Sequence, residues 1–380
     1  QNTMLTNKIY QNFIKEILKT FLIILFGLSI IAWTVRAVNF LDLIVENGYS
    51  ITTYFQYSFL NLAAILTKLI PLSFLLSLMI FLMKQIQDNE FIILWTSGVK
   101  KLKVVNLLFL ISVFILFFYI LFSAFITPYA LNKSRNLLNK EGFNSFLPTI
   151  RVQQFSDSFK GFTFFVEEKF ENEIKNVFIY DKSNALKNLT SNQSDTTSTT
   201  IIAKEGIVDN RKMVLFDGSI ISTDKNNKEN DIVKFEQINI DLKNLKTGTI
   251  SQLKFQETSS KNLIDCIKNP SELIINCNKN ANSEIITVLN RRFFLPFYIP
   301  IVSLICSFLL IKTQSKNNYF FNKYSIFVLG FFVLLYSELI IRFTGISKIV
   351  GTLFIASPFI FTPVIYLFLI YKLNREASSK

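Results

Sequence analysis

Long uncharged runs fill both ends of this chain, and a different rhythm fills its middle. Reading for runs able to cross about 30 Å of hydrocarbon predicts six membrane spans. The first covers about 16–38, with Phe21 to Val35 entirely uncharged. The second covers about 56–83, interrupted only by Lys68 and carrying Pro71. The third covers about 104–128 and ends at Pro128, and three more follow at about 293–312, 324–342 and 349–371. From about 135 to 255, polar and apolar residues alternate, with Asn, Asp, Ser and Gly at the breaks. There "GFTFFVEE", "IKNVFIYD", "TTIIAKEGIV", "RKMVLFDGSIIS" and "IVKFEQINIDL" read as strands with period-two alternation. Short strands joined by turn signals predict an all-β sandwich or jelly roll. "NLTSNQSDTTST" (188–199) reads as a loop, and 256–287 as a polar helical stretch leading back to the membrane.

Between the second and third spans lies "QIQDNEFIILWTSGVKK", Gln85 to Lys101. It is too polar for the bilayer and too short for a domain. It predicts a short helix with Phe91, Ile92, Leu94 and Trp95 on one side and Asp88 and Glu90 near its start. Such a helix has two readings. It is a connector lying on the membrane surface, or a coupling helix whose apolar face fills a groove on a motor protein while Glu90 meets a basic residue there.

Composition narrows the class. The chain has 380 residues, 41 of them Phe, and 50% hydrophobic residues, with a mean hydropathy of +0.37. These values point to a membrane protein. The net charge of +13 is spread along the chain beside apolar runs and falls in no nucleic-acid motif. Anionic lipid is the better partner for it, and no nucleic acid is expected. Histidine is absent, which excludes His-based triads and most zinc sites. The three cysteines, Cys266, Cys277 and Cys306, make no CxxC pair. No catalytic set, metal site or cofactor is therefore expected. The first apolar run lacks a small-residue cleavage site and reads as a span rather than a cleaved signal. The chain also lacks a G-x-x-x-x-G-K-[S/T] phosphate loop, so any ATP-driven action needs a separate ATPase.

Basic residues set the orientation. With the N-terminus cytoplasmic, Lys8, Lys15, Lys19, Lys84, Lys100, Lys101, Lys103, Lys312, Lys316, Lys323, Lys372, Arg375 and Lys380 all fall inside. The β domain then lies outside, with Cys266 and Cys277, for which a disulfide is one option. The short polar helix lies on the cytoplasmic face.

Four segments carry a family resemblance: "YQNFIKEILKTFL" (10–22), "DNEFIILWTSGVKK", "NRRFFLPFYIPIV" (290–302), and the strand pair "IIAKEGIV" and "MVLFDGSI". In this order on this topology they resemble the LptF/LptG family of lipopolysaccharide export permeases, and the opening segment is nearer to LptF. Two positions depart from the family pattern: Leu94-Trp95-Thr96-Ser97 stands where Arg is usual, and Asn290 where His is frequent. The resemblance implies an α-helical integral membrane protein with six transmembrane helices and an inserted all-β, jelly-roll-like periplasmic domain between helices three and four. It divides the chain into spans one to three (1–128, coupling helix 86–98), β domain (129–255), helical connector (256–290) and spans four to six (291–380). It implies a multi-pass protein of the bacterial inner membrane with both termini cytoplasmic.

The implied partners are a second homologous permease (LptG-like), a dimeric cytoplasmic ATPase (LptB-like), periplasmic jelly-roll proteins (LptC/LptA-like) and lipopolysaccharide. Glu90, Phe91, Leu94, Trp95 and Gly98 take the ATPase-coupling positions. Cations near the external span ends, Arg36, Lys68, Arg291, Arg292 and Arg342, are candidates for the lipid phosphates, since Arg–phosphate contacts are charge-assisted and often bidentate. Lys68 stands out, because a charge at mid-membrane costs about 2.5–3.5 kcal/mol and usually faces a cavity or partner. For Arg36 and Arg342 snorkelling to the interface is the competing reading, and Glu338 is expected to pair with Arg342 one turn on. Phe162, Phe164 and Phe178 read as β-domain core. Two other classes compete: a mechanotransmitter that moves no lipid, and a motor-less anchor or receptor. The inserted β domain argues against the first and the short helix against the second.

Overall fold

The computed structural model describes residues 8–45, 49–141, 152–159, 161–170, 172–182, 196–209, 212–224, 230–241, 254–268, 277, 281–311 and 316–378. Among the described residues, six helical stretches are long and apolar enough to cross a membrane: Lys8–Asn39, Ile51–Gln87, Lys101–Leu138, Asn282–Leu310, Lys323–Phe343 and Lys348–Glu376. We call them spans 1 to 6. The helices are α1 (Lys8–Asn39), α2 (Asp42–Val45), α3 (Ile51–Gln87), α4 (Glu90–Thr96), α5 (Lys101–Leu121) and α6 (Thr127–Glu141). After the strands come α7 (Ser260–Lys268), α8 (Asn282–Phe293), α9 (Tyr298–Ser307), α10 (Lys316–Ile340) and α11 (Lys348–Ser378). Chain contacts define two compact units. One comprises Gln1–Val35, Asn61–Leu131 and Lys254–Lys380, the other Arg36–Leu60 and Asn132–Leu253.

In the first unit, prolines decide how the spans are tied. Pro lacks an N–H and so cannot bond the carbonyl four residues before it. Pro128 leaves the Ala124 carbonyl in this state, and span 3 widens into a π-helical turn at Phe122–Ile126. The Ser260 hydroxyl donates to that carbonyl at 2.8 Å. Pro358, inside α11, leaves the Phe354 carbonyl, which accepts the Tyr298 hydroxyl of span 4 at 3.2 Å. Thr127 Oγ1 lies 2.7 Å from Thr67 Oγ1 and joins span 3 to span 2. Gly345 packs its α-carbon against the Ser283 carbonyl, where a Cβ has no room. A buried cluster including Phe21, Phe74, Leu78, Leu108, Val302 and Leu310 fills the space among the spans.

The second unit carries a six-stranded antiparallel sheet in sequence order. Its strands are β1 (Ser156–Phe159), β2 (Phe162–Phe170), β3 (Glu173–Asp181), β4 (Thr196–Asp209), β5 (Lys212–Asp224) and β6 (Asn230–Asp241). Of the loop expected at 188–199, Thr196 to Thr199 continue β4, and 188–195 lie outside the described residues. Burial alternates along β2, β3 and β4 but skips a beat in one row. β2 buries Phe162, Phe164 and Val166, then exposes Glu167 and Glu168; β3 buries Ile174, exposes Lys175 and Asn176, then buries Val177 and Ile179. β4 does the same around Lys204 and Glu205.

The registers flanking this row align Glu167, Asn176, Lys204, Asp217 and Glu236. Asn176 (φ 49°) and Asp217 (φ 48°) adopt the left-handed conformation, which Asn and Asp tolerate best among residues with a Cβ. Asn176 Nδ2 also donates to Glu167 Oε2 at 2.6 Å. The alternation changes phase at this row, and residues on both sides of it join one buried cluster from β2 to β6. The inserted all-β domain is thus present. Among the described residues its strands form one antiparallel sheet with nearest-neighbour order. Phe162 and Phe164 sit in that core, whereas Phe178 is half-buried on the opposite face beside Phe155.

Candidate coupling helix and the cationic span ends

α4 is a complete, separately terminated helix of 7 residues. Asn89, at φ 56°, breaks it from α3, and its carbonyl accepts the amides of Ile92 and Ile93 at 3.0 and 3.2 Å. Glu90 lies in the first turn, where a carboxylate meets the positive end of the helix dipole. At the other end the Val99 amide donates to the Leu94 carbonyl and Gly98 to Trp95, at 3.2 and 3.1 Å. This is a Schellman stop, and Gly98 supplies its positive φ of 89°. No atom lies within 4 Å of a Cβ added at Gly98, so the dihedral angle, and not space, asks for glycine.

The helix turns its aromatic side inward. Phe91 and Leu94 are buried, Trp95 is half-buried and stacks on Phe91 at 5.5 Å, and Phe91 meets Phe13 of span 1 edge-on at 6.2 Å. The outward face is Glu90, Ile92, Ile93 and Thr96, with Ile93 67% exposed. This differs from the expectation that Phe91, Leu94 and Trp95 face a partner. A seven-residue amphipathic turn has one aromatic stripe, and here the chain's own core takes it. Ile92, expected on the same side as Phe91, Leu94 and Trp95, faces outward instead, and beside it stands Ile93, which the sequence reading left out.

Two ion pairs hold the ends of this segment. Lys84 Nζ lies 2.6 Å from Glu16 Oε1 of span 1, and Gln85 Nε2 donates to the other oxygen of Glu16 at 3.3 Å. Lys101 Nζ lies 2.6 Å from Glu376 at the end of span 6.

The cations expected near the span ends fall into different settings. Arg36 and Arg342 are exposed and make no side-chain hydrogen bond or ion pair among the described residues. Lys68 is exposed near the middle of α3. Arg291 Nη2 pairs with Glu338 of span 5 at 3.0 Å. Glu338 therefore meets Arg291, and not Arg342 as its spacing suggested. Ile341–Phe343 wind into a 3₁₀ turn, which rotates Arg342 off the face of Glu338.

Arg292 is 4% exposed. Its Nη1 donates to Ser260 Oγ at 2.9 Å, and its Nη2 to the carbonyls of Gln256 at 3.0 Å and Phe255 at 3.4 Å. Arg291 and Arg292 are neighbours, yet one faces a partner span and the other the connector. Arg36 belongs to the other compact unit.

Among the described residues, no group of three or more Cys, Asp or Glu side chains could hold a metal ion. Fold and site together define a polytopic membrane protein of three spans, a β insert and three spans, with a short capped helix between spans 2 and 3. The model of the lipopolysaccharide export system permease LptF/LptG matches residues 12–372, and the chain belongs to that family. With its six spans, that makes it a multi-pass inner-membrane protein. It is also similar to the uncharacterized protein RP871 of Rickettsia prowazekii (strain Madrid E), at 27% identity over 176 residues. That match covers 46% of this chain and 48% of the relative, about half of each.

Proposed function

We propose that this chain is one half of an ATP-driven permease, seated on a separate cytoplasmic ATPase dimer and paired with a second, homologous permease. The observation that carries this reading is α4. A helix with both ends terminated, its own core contacts made on one side, and Glu90, Ile92 and Ile93 left outward is built to present a face. An apolar helix face laid into a groove, with a carboxylate at its rim, is a recurrent mode of recognition. The coupling contact is then Glu90, Ile92 and Ile93, while Phe91, Leu94 and Trp95 bind α4 to span 1 and Gly98 fixes where it ends. The missing phosphate loop supports a separate motor. Orientation follows the basic residues, and the Cys266–Cys277 disulfide supports placing the connector on the oxidising, external side.

The cargo is lipopolysaccharide, passed to periplasmic jelly-roll partners, with Arg36, Lys68, Arg291 and Arg342 offered to its phosphates. Arg292, buried and bonded to Ser260 and the connector carbonyls, serves as a positioning residue instead. The opening segment makes LptF the nearer subunit type. The test is affinity purification of the tagged chain in mild detergent, for the parent and for Glu90→Lys. A phosphate-loop ATPase and a second six-span permease should travel with the parent, and the ATPase should be lost from Glu90→Lys. Recovery of the chain alone, or of an ATPase indifferent to Glu90, overturns the reading.

A further inference from the structure

The segment between the β insert and span 4 is held by more than its own core. Its apolar cluster is small: Leu263, Cys266, Cys277 and Ile285 are buried, with Phe255, Ala281, Val288 and Leu289 against them. A patch of that size does not order a segment alone, and small units of this kind are usually stapled. Here the staple is the bond between Cys266 on α7 and Cys277, with α-carbons 5.8 Å apart.

What α7 carries gives the staple its consequence. Ser260 Oγ accepts from Arg292 and donates to the Ala124 carbonyl, which is the carbonyl that Pro128 cannot serve. The Phe255 and Gln256 carbonyls take the other Arg292 nitrogen. No carboxylate among the described residues bonds Arg292. A buried guanidinium held by a hydroxyl and two carbonyls depends on those groups staying in place.

We propose that the Cys266–Cys277 bond is an oxidation-dependent lock: by fixing α7 it holds Arg292 desolvated and clamps the π-helical bend of span 3 to span 4. In forming it, the two thiols give up two protons and two electrons. A protein disulfide is the acceptor and is reduced to a dithiol while the Sγ–Sγ bond forms. Reduction would release α7, expose Arg292 to water and leave the Ala124 carbonyl without Ser260. The inference does not rest on the export reading, and its test uses neither nucleotide nor lipid cargo, so either can fail alone.

The experiment is differential alkylation and hydrogen exchange on the full chain in lipid nanodiscs, before and after treatment with a phosphine reductant. Before reduction Cys266 and Cys277 should resist alkylation. After reduction both should react, and amide exchange should rise about tenfold or more both in 254–268 and across 120–130. Arg292→Met should raise exchange in the same two segments with the disulfide intact, and reduction should add little to it. If that variant does not fold, the reductant arm on the unsubstituted chain decides. Free thiols before reduction overturn the lock, as does exchange that rises in 260–277 while 120–130 is unchanged.

Discussion

Spans 4 and 5 are nearly equal in apolarity yet live differently. Of the apolar stretch of span 4, 78% is buried within the chain, against 17% in span 5. Spans 2 and 3 side with span 4, at 61% and 50%, while spans 1 and 6 side with span 5, at 22% and 17%. Buried serines are more numerous in the packed spans, although spans 1 and 5 bury one each, Ser29 and Ser337. Ser73 and Ser77 in span 2, Ser112 and Ser123 in span 3, and Ser303 and Ser307 in span 4 are all buried. In lipid there is no hydrophobic drive between helices, so close approach through small residues is what holds spans together. Span 5 instead turns Leu329, Phe332, Tyr336 and Leu339 outward. Three spans thus form the packed body, and three keep faces for lipid or for another helix bundle.

The largest effect that sharpens this contrast is a cavity in the packed body. Phe74→Ala in span 2 should cost about 3–5 kcal/mol, read as a fall in thermal stability in detergent. Phe332→Ala on span 5 should change the same reading by less than about 0.5 kcal/mol in the isolated chain. Equal losses would break the distinction between body and open faces.

Next come the carbonyls that proline leaves open. Ser260→Ala strips a partner from both Arg292 and the Ala124 carbonyl and should cost about 1–3 kcal/mol, with faster exchange near 120–130. Tyr298→Phe removes one neutral bond to the Phe354 carbonyl. Since Ser357 Oγ also donates there at 3.1 Å, its cost should be smaller, about 1 kcal/mol. A loss from Tyr298→Phe exceeding that from Ser260→Ala would contradict the account of the connector. The smallest effect is Gly98→Ala. The left-handed φ there should cost about 1 kcal/mol, seen as weaker protection of the Val99 amide by hydrogen exchange and not as global unfolding.

How the sequence relates to this structure differs from element to element. The spans were legible because one rule, an uncharged run of sufficient length, governs them, and each expected run lies within or overlaps an observed helix. The strands were legible from alternation, but the break in it across β2, β3 and β4 was not sought. In hindsight it is written as adjacent polar pairs, Glu167–Glu168, Lys175–Asn176 and Lys204–Glu205, each interrupting a period of two. The facing of α4 was misread because hydrophobicity shows that a side is apolar and does not say whose core receives it. The same limit applies to Arg291 and Arg292. Their charge was plain, but only the connector's position shows that one of them is enclosed. The cysteine pairing was open from spacing alone, since 11 residues of separation permit a bond without requiring it. Pro128 and Pro358 were visible all along, and counting back four residues names the carbonyls that the connector and span 4 serve.

The central claim is that α4 turns its aromatic side to its own bundle and its isoleucine side to a motor. The most direct measurement places a photo-crosslinking amino acid at Ile93 or at Phe91 in the full chain, in native membranes, and identifies each adduct by mass spectrometry. The account predicts an adduct from position 93 to a subunit containing a phosphate loop, and from position 91 only a link within the chain, to span 1. An adduct to that subunit from position 91, or none from position 93, would contradict it.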